Sequence, residues 1–588
     1  MTAAVSEISV KRQALRRFWP HRGACWPSVV LLAVALMVAT PLVFLVLGSF
    51  STADLPGRFS LTTLGLDNYR QVWLDPDTYQ VFGDTLIYVG GAASFSIIIA
   101  GILAWLVERT NMPGRIWIYA GVPMTLAMPG MLLGIAWILL LSPRIGFVNS
   151  LIKQALGLTA APFNVYTLQG MILVEGLRLV PTAFLMLVPL LRSMDPTLEE
   201  AASMSGAGPL SIMRRVTLRL MLPGILAVVI YQAMTALEVF EVPGILGLPS
   251  KTYVFSTRIY AALHSTMGTP AYGVANALAI IYVAISIAAI YFYSRTIGRS
   301  ERYAVISGKG YRPRPVDLGR WRWIGLSFCM LYLLLSIIIP FLVLAYMSFL
   351  PFLQVPSVDA FRMMSWSNYA ELWHTERVAA VMYNTLILVL ATSTLTVVAS
   401  FIISLAIVRS RFWGRRLLDQ LSFLPHAFPG IVLGLAFLWV FLQLDKIGIS
   451  IYGGVWAISI AFTVSFMAYG TRSMNAALLQ IHKDLEEAAQ ISGAGSWRVM
   501  WRVSLPLMLP SMVGLWIWAM LQAARQAGTP LILYEGTENQ VLSVFVWEMW
   551  DHGNSGVVAA TGVIMITALL IVTFGFRALS FGRVASGP

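Results

Sequence analysis

A chain of 588 residues that is 58% hydrophobic and only 11% charged is not a soluble globular protein, because so much apolar surface could not be buried in a water-soluble fold. The composition indicates a polytopic membrane protein. The two cysteines, Cys25 and Cys329, are too few for a disulfide framework, and the net charge of +13 suggests nucleic acid binding only until its distribution along the chain is considered.

The chain begins with a basic segment, residues 1–26, which is followed by an apolar run of about 24 residues. This run is longer than the hydrophobic part of a signal peptide, and no small-residue cleavage site stands out, so we expect an uncleaved first membrane helix. Similar runs recur along the chain, and each is long enough to cross a hydrocarbon core of about 30 Å. The twelve expected spans are 27–50, 84–107, 116–141, 166–191, 222–245, 271–293, 324–349, 384–408, 417–443, 453–471, 507–533 and 557–576.

The basic residues lie mostly on one side of these spans. The seven segments on the side of the N-terminus carry 29 of the 40 Lys and Arg residues, whereas the six opposite loops carry 9. By the positive-inside rule, both termini are expected in the cytoplasm. The basic residues therefore indicate membrane topology, and no nucleic acid partner is expected.

The two halves of the chain are similar in sequence. Asn68-Tyr69 returns as Asn368-Tyr369 and Pro129-Gly130 as Pro429-Gly430, both at an offset of 300 residues. The offset later falls to 287, so 13 extra residues are expected in the first half, in the external loop around 142–165. Because six spans separate the copies, both halves should enter the membrane in the same direction, as parallel repeats with a pathway between them.

This pattern predicts an all-α integral membrane fold of about twelve transmembrane helices in two parallel six-helix repeats. The expected domains are a cytoplasmic basic N-terminus (1–26), a first transmembrane domain (27–293), a cytoplasmic basic linker (294–323), a second transmembrane domain (324–576) and a C-terminal tail (577–588). In the linker, Gly308-Lys309-Gly310 lacks the spacing of a phosphate-binding loop.

The strongest part of the repeat is a polar loop in each half. Residues 198–223 and 485–510 are identical at 17 of 26 positions. Thr197-x-x-Glu200 and Asp484-x-x-Glu487 both fit a capping box, so a short helix should begin at each. Small residues follow, among them Gly206 and Gly493, which favour a sharp turn into a second helix. A re-entry loop without further function would show the same features.

These loops resemble the Glu-Ala-Ala signature loop of permease subunits of ABC importers, which implies the type I (MetI-like) fold. Arg219 stands in the first copy where the family has Pro. The resemblance implies that each loop docks as a coupling helix on a separate ATPase subunit, in two copies, which binds the ATP; no cofactor is expected on this chain. The coupling residues it implies are Glu199, Glu200, Ala201, Ala202 and Gly206, and Glu486, Glu487, Ala488, Ala489 and Gly493.

The same resemblance implies a permease in the bacterial inner membrane, whose external loops 51–83 and 350–383 face a periplasmic binding protein. The residues alone indicate an aromatic, amphipathic rim against membrane lipid. No Walker A sequence and no catalytic constellation occurs, so the chain is not expected to be an enzyme.

Stretches such as FLPHAFPG (423–430) and YGTRSMNAALLQIH (469–482) are similar to the fused permeases of ferric-iron importers, which makes ferric iron the expected cargo. Thiamine, polyamine and 2-aminoethylphosphonate importers have related permeases and stay as alternatives. A secondary transporter or channel is an alternative from another class, although it would require inverted repeats or a chain of buried proton carriers.

Five charged residues lie inside the expected spans, where each is energetically costly. Glu175 and Arg178 are three residues apart on one helix face and could form a structural ion pair or line the pathway. Glu238 and Glu241 are expected on one face of the fifth span, near its outer end. Arg525 matches Glu238 in the second half, so this pair could meet at an outer gate or remain at the outer surface. His264, His426 and His482 have no ligand spacing, and no metal site is expected.

Overall fold

A computed structural model describes residues 25–585 except 54, 59–60, 194–196, 265–268, 301–315, 375 and 411. The basic residues of the N-terminus and Gly308-Lys309-Gly310 of the linker lie outside the described residues. The described residues are 81% helical, and no strand occurs among them, which confirms the all-α prediction.

The described helices lie on either side of residue 301. Those before residue 301 are α1 (Cys25–Phe50), α2 (Asp67–Leu74), α3 (Pro76–Arg109), α4 (Arg115–Met124), α5 (Gly130–Leu141), α6 (Phe147–Leu156), α7 (Leu168–Ser193), α8 (Thr197–Met204), α9 (Pro209–Ile212), α10 (Leu218–Glu238), α11 (Glu241–Gly247), α12 (Phe255–Leu263) and α13 (Tyr272–Ser300). Those after it are α14 (Trp321–Leu333), α15 (Ile339–Ser348), α16 (Val358–Arg362), α17 (Ser367–His374), α18 (Glu376–Ser404), α19 (Arg415–Phe423), α20 (Gly430–Asp445), α21 (Val455–Gln480), α22 (Lys483–Ile491), α23 (Ser496–Val499), α24 (Leu505–Arg525), α25 (Pro530–Leu533), α26 (Leu542–Asp551) and α27 (Ser555–Ala585).

Within the described residues, nine helices are long and apolar enough to cross a membrane, and two bent helix pairs raise the number to eleven. These eleven correspond to eleven of the twelve expected spans. The remaining span, 453–471, lies in the 26-residue helix α21, which is not among the eleven.

The spans expected at 116–141 and 417–443 are not straight helices. The segment Arg115–Ala127 meets α5 at an angle of 96°, and Arg415–Ala427 meets α20 at 110°. Pro129 and Pro429 cause both bends, because the residue before a proline is disfavoured in the helical region. Met128 and Phe428 accordingly have extended backbones, with ψ of 113° and 117°.

The spans expected at 222–245 and 507–533 are also interrupted. Helix α10 ends at Glu238, where Val239 takes an extended conformation with ψ 135°, and α11 begins two residues later. Helix α24 ends at Arg525, and Gln526 is extended with ψ 134°. The prediction that Glu238 and Glu241 share one face of a continuous helix is therefore wrong, because the chain leaves the helix between them.

The chain forms two compact units that do not coincide with its two repeats. One unit contains residues 1–65 and 380–543, and the other contains 66–379 and 544–588. Helix α1 thus belongs with most of the second repeat, while α14, α15 and α27 belong with the first. The domain boundaries expected from the sequence describe the repeats and stay a prediction. The compact units have different boundaries.

In the unit that contains α1, this helix packs against α19 and α20. Helix α18 packs with α21 and α24 around a buried apolar cluster that includes Phe401, Met474 and Leu515. Gly434 brings α20 close to α25, since a Cβ atom at this glycine would lie 3.2 Å from Ile532 Cβ and 3.3 Å from the Thr529 carbonyl oxygen.

In the other unit, α3 packs along α7 and α10, and α15 packs against α5 and α27. The 26 residues between α5 and α7 include α6, whereas α20 and α21 are joined by only 9 residues. The extra residues of the first repeat therefore lie where they were expected. The end of the linker is held by α3, because Val316 N donates to the Arg109 carbonyl at 2.8 Å. Asn111 Nδ2 also donates to Asp317 Oδ1 at 2.6 Å.

One hydrogen bond recurs in both repeats, each time within a single unit. Thr85 Oγ1 accepts from Phe255 N at 3.1 Å, and Thr385 Oγ1 accepts from Leu542 N at 2.8 Å. The threonines are 300 residues apart and the donors 287 residues apart, which are the two offsets read from the sequence.

Candidate functional site

The two polar loops have the same local architecture. In the first, α8 is followed by α9, a π-helical segment (Met213–Thr217) and α10. In the second, α22 is followed by α23, a π-helical segment (Met500–Ser504) and α24. Since π-helical segments in proteins are frequently found at functional positions, their recurrence at equivalent places marks these loops as a candidate site.

The turn after each short helix depends on its glycine. Gly206 and Gly493 have φ of 81° and 85°, in the left-handed region that favours glycine. The following amides close the helix end in a Schellman motif: Ala207 N donates to Ala202 O at 3.1 Å, and Ala494 N donates to Ala489 O at 3.1 Å. The turn predicted from the small residues is confirmed in both copies.

The start of the second short helix differs from the prediction. Helix α22 begins at Lys483, so Asp484 lies in its first turn, and the residue at the cap position, His482, makes no side-chain cap bond within the described chain. Helix α8 begins at Thr197, and its cap position falls at residue 196, outside the described residues. The capping box predicted at Asp484 is therefore wrong, because α22 begins one residue before Asp484. The capping box predicted at Thr197 stays a prediction, because it borders residues outside the described ones.

In the second loop, a buried ion pair holds the start of α22. Arg409, at the end of the π-helical segment Leu405–Arg409, approaches Glu486 Oε1 through Nη2 at 3.1 Å and donates to it through Nε at 3.2 Å. The same guanidinium donates to the Leu478 carbonyl at 3.0 Å, near the end of α21. Ser504 Oγ donates to Glu486 Oε1 at 3.0 Å. One carboxylate therefore joins three segments of this unit.

The first loop has the equivalent arrangement with a longer ion-pair distance. Arg109, the last residue of α3, donates through Nη2 to the Leu191 carbonyl at 3.0 Å. Its Nε lies 3.8 Å from Glu199 Oε2, and Thr217 Oγ1 donates to Glu199 Oε1 at 2.7 Å. We call each set of arginine, glutamate and hydroxyl residue a clasp: Arg109, Glu199 and Thr217 in the first repeat, and Arg409, Glu486 and Ser504 in the second.

The arginines of the clasps are not among the residues predicted from the sequence. A signal was present, since Arg109 and Arg409 stand at the 300-residue offset, each at the end of an apolar run. They lie far from the loops along the chain, and only the packing of α3 and α18 brings them there.

The outward side of each loop is formed by small residues and an apolar tip. Ala201 and Ala488 are exposed. The tips are Met204 and Ile491, which are 90% and 84% exposed and stand 287 residues apart. The loops differ beyond the turn, where the second carries Trp497 and Trp501, with ring centroids 5.6 Å apart.

Glu175 and Arg178 form the ion pair that their spacing suggested. Arg178 donates through Nη2 to Glu175 Oε1 at 2.6 Å and through Nε to Oε2 at 2.9 Å. Glu175 is fully buried. Gly130, the first residue of α5, leaves room for this pair, because a Cβ atom there would lie 3.1 Å from Arg178 Cδ and 3.7 Å from Glu241 Cβ. A role for the pair along the pathway stays a prediction.

Glu238 and Arg525 occupy equivalent positions at the last residues of α10 and α24. Each is followed by an extended residue where its helix breaks, so the fifth and eleventh spans both carry a charge at an interruption. Within the described residues, no group of three or more His, Cys, Asp or Glu side chains is arranged to hold a metal ion.

Comparison with known proteins places this geometry in a family. The family model described as the binding-protein-dependent transport system inner membrane component matches residues 96–297 and again residues 397–584. The chain belongs to this family. The two matches contain both polar loops and together cover most of both repeats. The chain is therefore two permease modules fused into one polypeptide, and it is a membrane component of a transport system.

Several curated relatives are permeases of this kind. The ferric transport system permease protein of Actinobacillus pleuropneumoniae is 23% identical over 80% of this chain and 66% of its own length. The Fe(3+)-transport system permease protein of Haemophilus influenzae is 21% identical over 90% of this chain and 93% of its own length. The sulfate transport system permease protein of Escherichia coli is 25% identical over 38% of this chain and 85% of its own length.

Among solved structures, a bacterial ABC transporter involved in the import of the acidic polysaccharide alginate matches with a TM-score of 0.37. The match is 17% identical and covers 46% of this chain and 98% of the transporter chain.

Proposed function

We propose that this permease transmits ATP-driven motion through its two polar loops, each of which docks on one of two ATPase subunits beneath the membrane. The observation that carries the proposal is the recurrence, in both repeats, of one loop design. An internal glutamate is held by the clasp, a glycine turn closes the short helix, and an apolar side chain projects outward.

The apolar tips support a docking role. A single exposed hydrophobic residue on a protein surface needs no explanation. Met204 and Ile491, however, project at equivalent positions of the two loops, and both are more than four-fifths exposed. The neighbouring alanines, Ala201 and Ala488, have small side chains, so a groove of a partner protein could pack closely against the loop.

The cycle that follows is alternating access. A loaded periplasmic binding protein docks on the external loops 51–83 and 350–383, and ATP draws the two ATPase subunits together. The polar loops move with the ATPase subunits, and the membrane helices open the pathway outward. The chain itself binds no ATP in this scheme, and both of its termini lie in the cytoplasm.

We infer ferric iron as the cargo. The support is the naming of the relatives that align over most of this chain as ferric transport permeases. The candidate pathway residues are Glu238, Glu241 and Arg525 at the helix interruptions, together with the ion pair of Glu175 and Arg178. Carboxylates near the outer end would suit a cation.

Calorimetry on the binding protein that serves this permease tests the cargo. Titration with ferric iron, thiamine, a polyamine and 2-aminoethylphosphonate should give binding heat with ferric iron. Binding of one of the other compounds instead would reassign the cargo without changing the transporter class.

The docking role is tested with Ile491→Glu, which places a charge at the tip of the second loop. We expect the amount of ATPase that co-purifies with the permease to fall roughly tenfold, since a charge in an apolar contact is unfavourable by more than 1.4 kcal/mol. The matched control is Ile447→Glu, because Ile447 is 70% exposed in the connection between α20 and α21. Equal ATPase yields from both variants would contradict docking at this tip.

A further inference from the structure

Each clasp joins the end of a long membrane helix to the start of a polar loop. In the second repeat the arginine follows α18, the glutamate belongs to α22 and the hydroxyl residue precedes α24. Three segments that are distant in sequence therefore meet at the single carboxylate of Glu486. A movement of α22 in this arrangement has to displace either the arginine or the π-helical segment after the loop.

The burial of the clasp makes it stiff. The side chains of Arg409 and Glu486 are 4% and 8% exposed, and Ser504 is 4% exposed. Charge-assisted hydrogen bonds away from water are short and strong, and a guanidinium holds a carboxylate through donors in a fixed planar fork. Arg409 also donates to the carbonyls of Leu478 and Ile481, so it ties the end of α21 to the same point.

The two clasps differ in how closely they are formed. The shortest Arg409–Glu486 contact is 3.1 Å, whereas Arg109 and Glu199 are 3.8 Å apart. Arg109 Nε is buried without a hydrogen-bond partner in the described part of the chain, and Glu199 is 20% exposed. The second repeat thus has the tighter connection.

We propose that Arg109 and Arg409 are positioning residues for energy coupling, which pass the displacement of the polar loops to α3 and α18, with the second clasp as the stiffer link. The proposal rests on the docking role of the loops stated above. In this proposal the first glutamate of each motif, Glu199 or Glu486, holds the loop from inside the protein. The second glutamate, Glu200 or Glu487, lies on the outward side of the loop.

The first test measures the clasp alone. A spin label is attached to a cysteine at Ile491 in the full chain with Cys25→Ser, since Cys329 is buried. We expect Arg409→Gln to increase the mobile fraction of the label, because the start of α22 loses its charged anchor. The matched control is Arg472→Gln. Arg472 pairs with Asp419 at 3.2 Å in the same unit, but it is 47% exposed and its partner lies in α19. Unchanged label mobility in Arg409→Gln would overturn the proposal.

The second test measures coupling. Arg409→Gln should lower uptake of the cargo assigned by calorimetry roughly fivefold to tenfold at equal ATPase co-purification, in the range observed for residues that transmit motion between sites. Arg109→Gln should have the smaller effect, and Arg409→Lys should restore only part of the uptake because an ammonium lacks the planar fork. Full uptake in Arg409→Gln, despite a mobile loop, would also overturn the proposal.

A variant of the partner glutamate guards against a folding defect. Glu486→Gln keeps the shape and the acceptor for Ser504 but removes the charge, so it should reproduce the label mobility of Arg409→Gln. If it leaves the label as immobile as in the unmodified chain, the ion pair is not the anchor. Failure of Ile491→Glu to affect ATPase binding would instead contradict the docking role, and the label result would stand independently.

Discussion

Neighbouring glutamates of the same motif have different surroundings at the scale of single residues. Glu486 is 8% exposed and held by Arg409, whereas Glu487 lies in the partly exposed surface of α22. Successive residues of a helix are rotated by about 100°, so two adjacent side chains cannot face the same neighbour. Two carboxylates that look equivalent in the sequence therefore take an internal and an outward position.

Each turn requires glycine because of the left-handed backbone conformation, and not because a side chain would collide with neighbouring atoms. No described atom outside the local chain lies within 4 Å of a Cβ atom built on Gly493, whose φ is 85°. Gly493→Ala should therefore cost about 1 kcal/mol through the left-handed conformation alone. We expect the hydrogen-bonded amide of Ala494 to exchange with deuterium about fivefold faster, because local opening becomes easier by that amount.

Gly495→Ala is the matched control for this prediction. It lies two residues further along the same loop, also has open space at its Cβ position among the described atoms, and does not have a positive φ. Exchange measured by mass spectrometry should be unchanged in this variant. If both variants exchanged equally fast, backbone strain at Gly493 would not explain the turn.

Interrupted helices are the main feature at the scale of elements. Two spans bend by 96° and 110° at prolines, and two others break after Glu238 and Arg525. The interruption at Pro429 is stabilised within its unit, since Thr529 Oγ1 donates to the Gly430 carbonyl at 2.8 Å. Helices α20 and α25 can come this close because Gly434 has no side chain.

Gly434→Leu should therefore separate α20 from α25. A Cβ atom at this position already lies 3.3 Å from the Thr529 carbonyl oxygen and 3.4 Å from its Cα, and backbone atoms cannot rotate away. Overpacking of this kind costs about 1–3 kcal/mol, so the midpoint of thermal unfolding in detergent should fall. In the control Gly101→Leu, no described atom outside the local helix lies within 4 Å of the Cβ position, and the midpoint should stay close to that of the unmodified chain. An equal loss in both variants would indicate a general effect of leucine.

The exchange of helices between repeats is a property of the whole molecule. Helix α1 belongs to the compact unit that holds most of the second repeat, and α14, α15 and α27 belong to the unit that holds the first. Each repeat is therefore defined by its sequence and by its match to the family. Neither repeat supplies all the helices of one compact unit. The chain consequently depends on both halves to complete its packing.

Sidedness is the prediction of widest consequence at this scale. Cysteines placed at Met204 and Ile491 in a Cys25→Ser chain should be protected from a membrane-impermeant maleimide added outside intact cells, because both loops are expected in the cytoplasm. A cysteine at Trp373, which is 90% exposed on the expected external loop, should react. After the membrane is opened, all three should be labelled. Labelling of either loop from outside would contradict the topology and the proposed docking role together.

Sequence alone determined the class of the protein, because the length and spacing of apolar runs are imposed by the thickness of a bilayer. The repeat was also readable, including the glycine turns at Gly206 and Gly493, since a left-handed residue leaves a local signature. Tertiary structure alone revealed the clasps, the helix interruption between Glu238 and Glu241, and the exchange of helices between the compact units. These depend on contacts between residues that are distant along the chain, as when Arg109 meets Glu199, and no local pattern specifies which distant partner a buried charge will find.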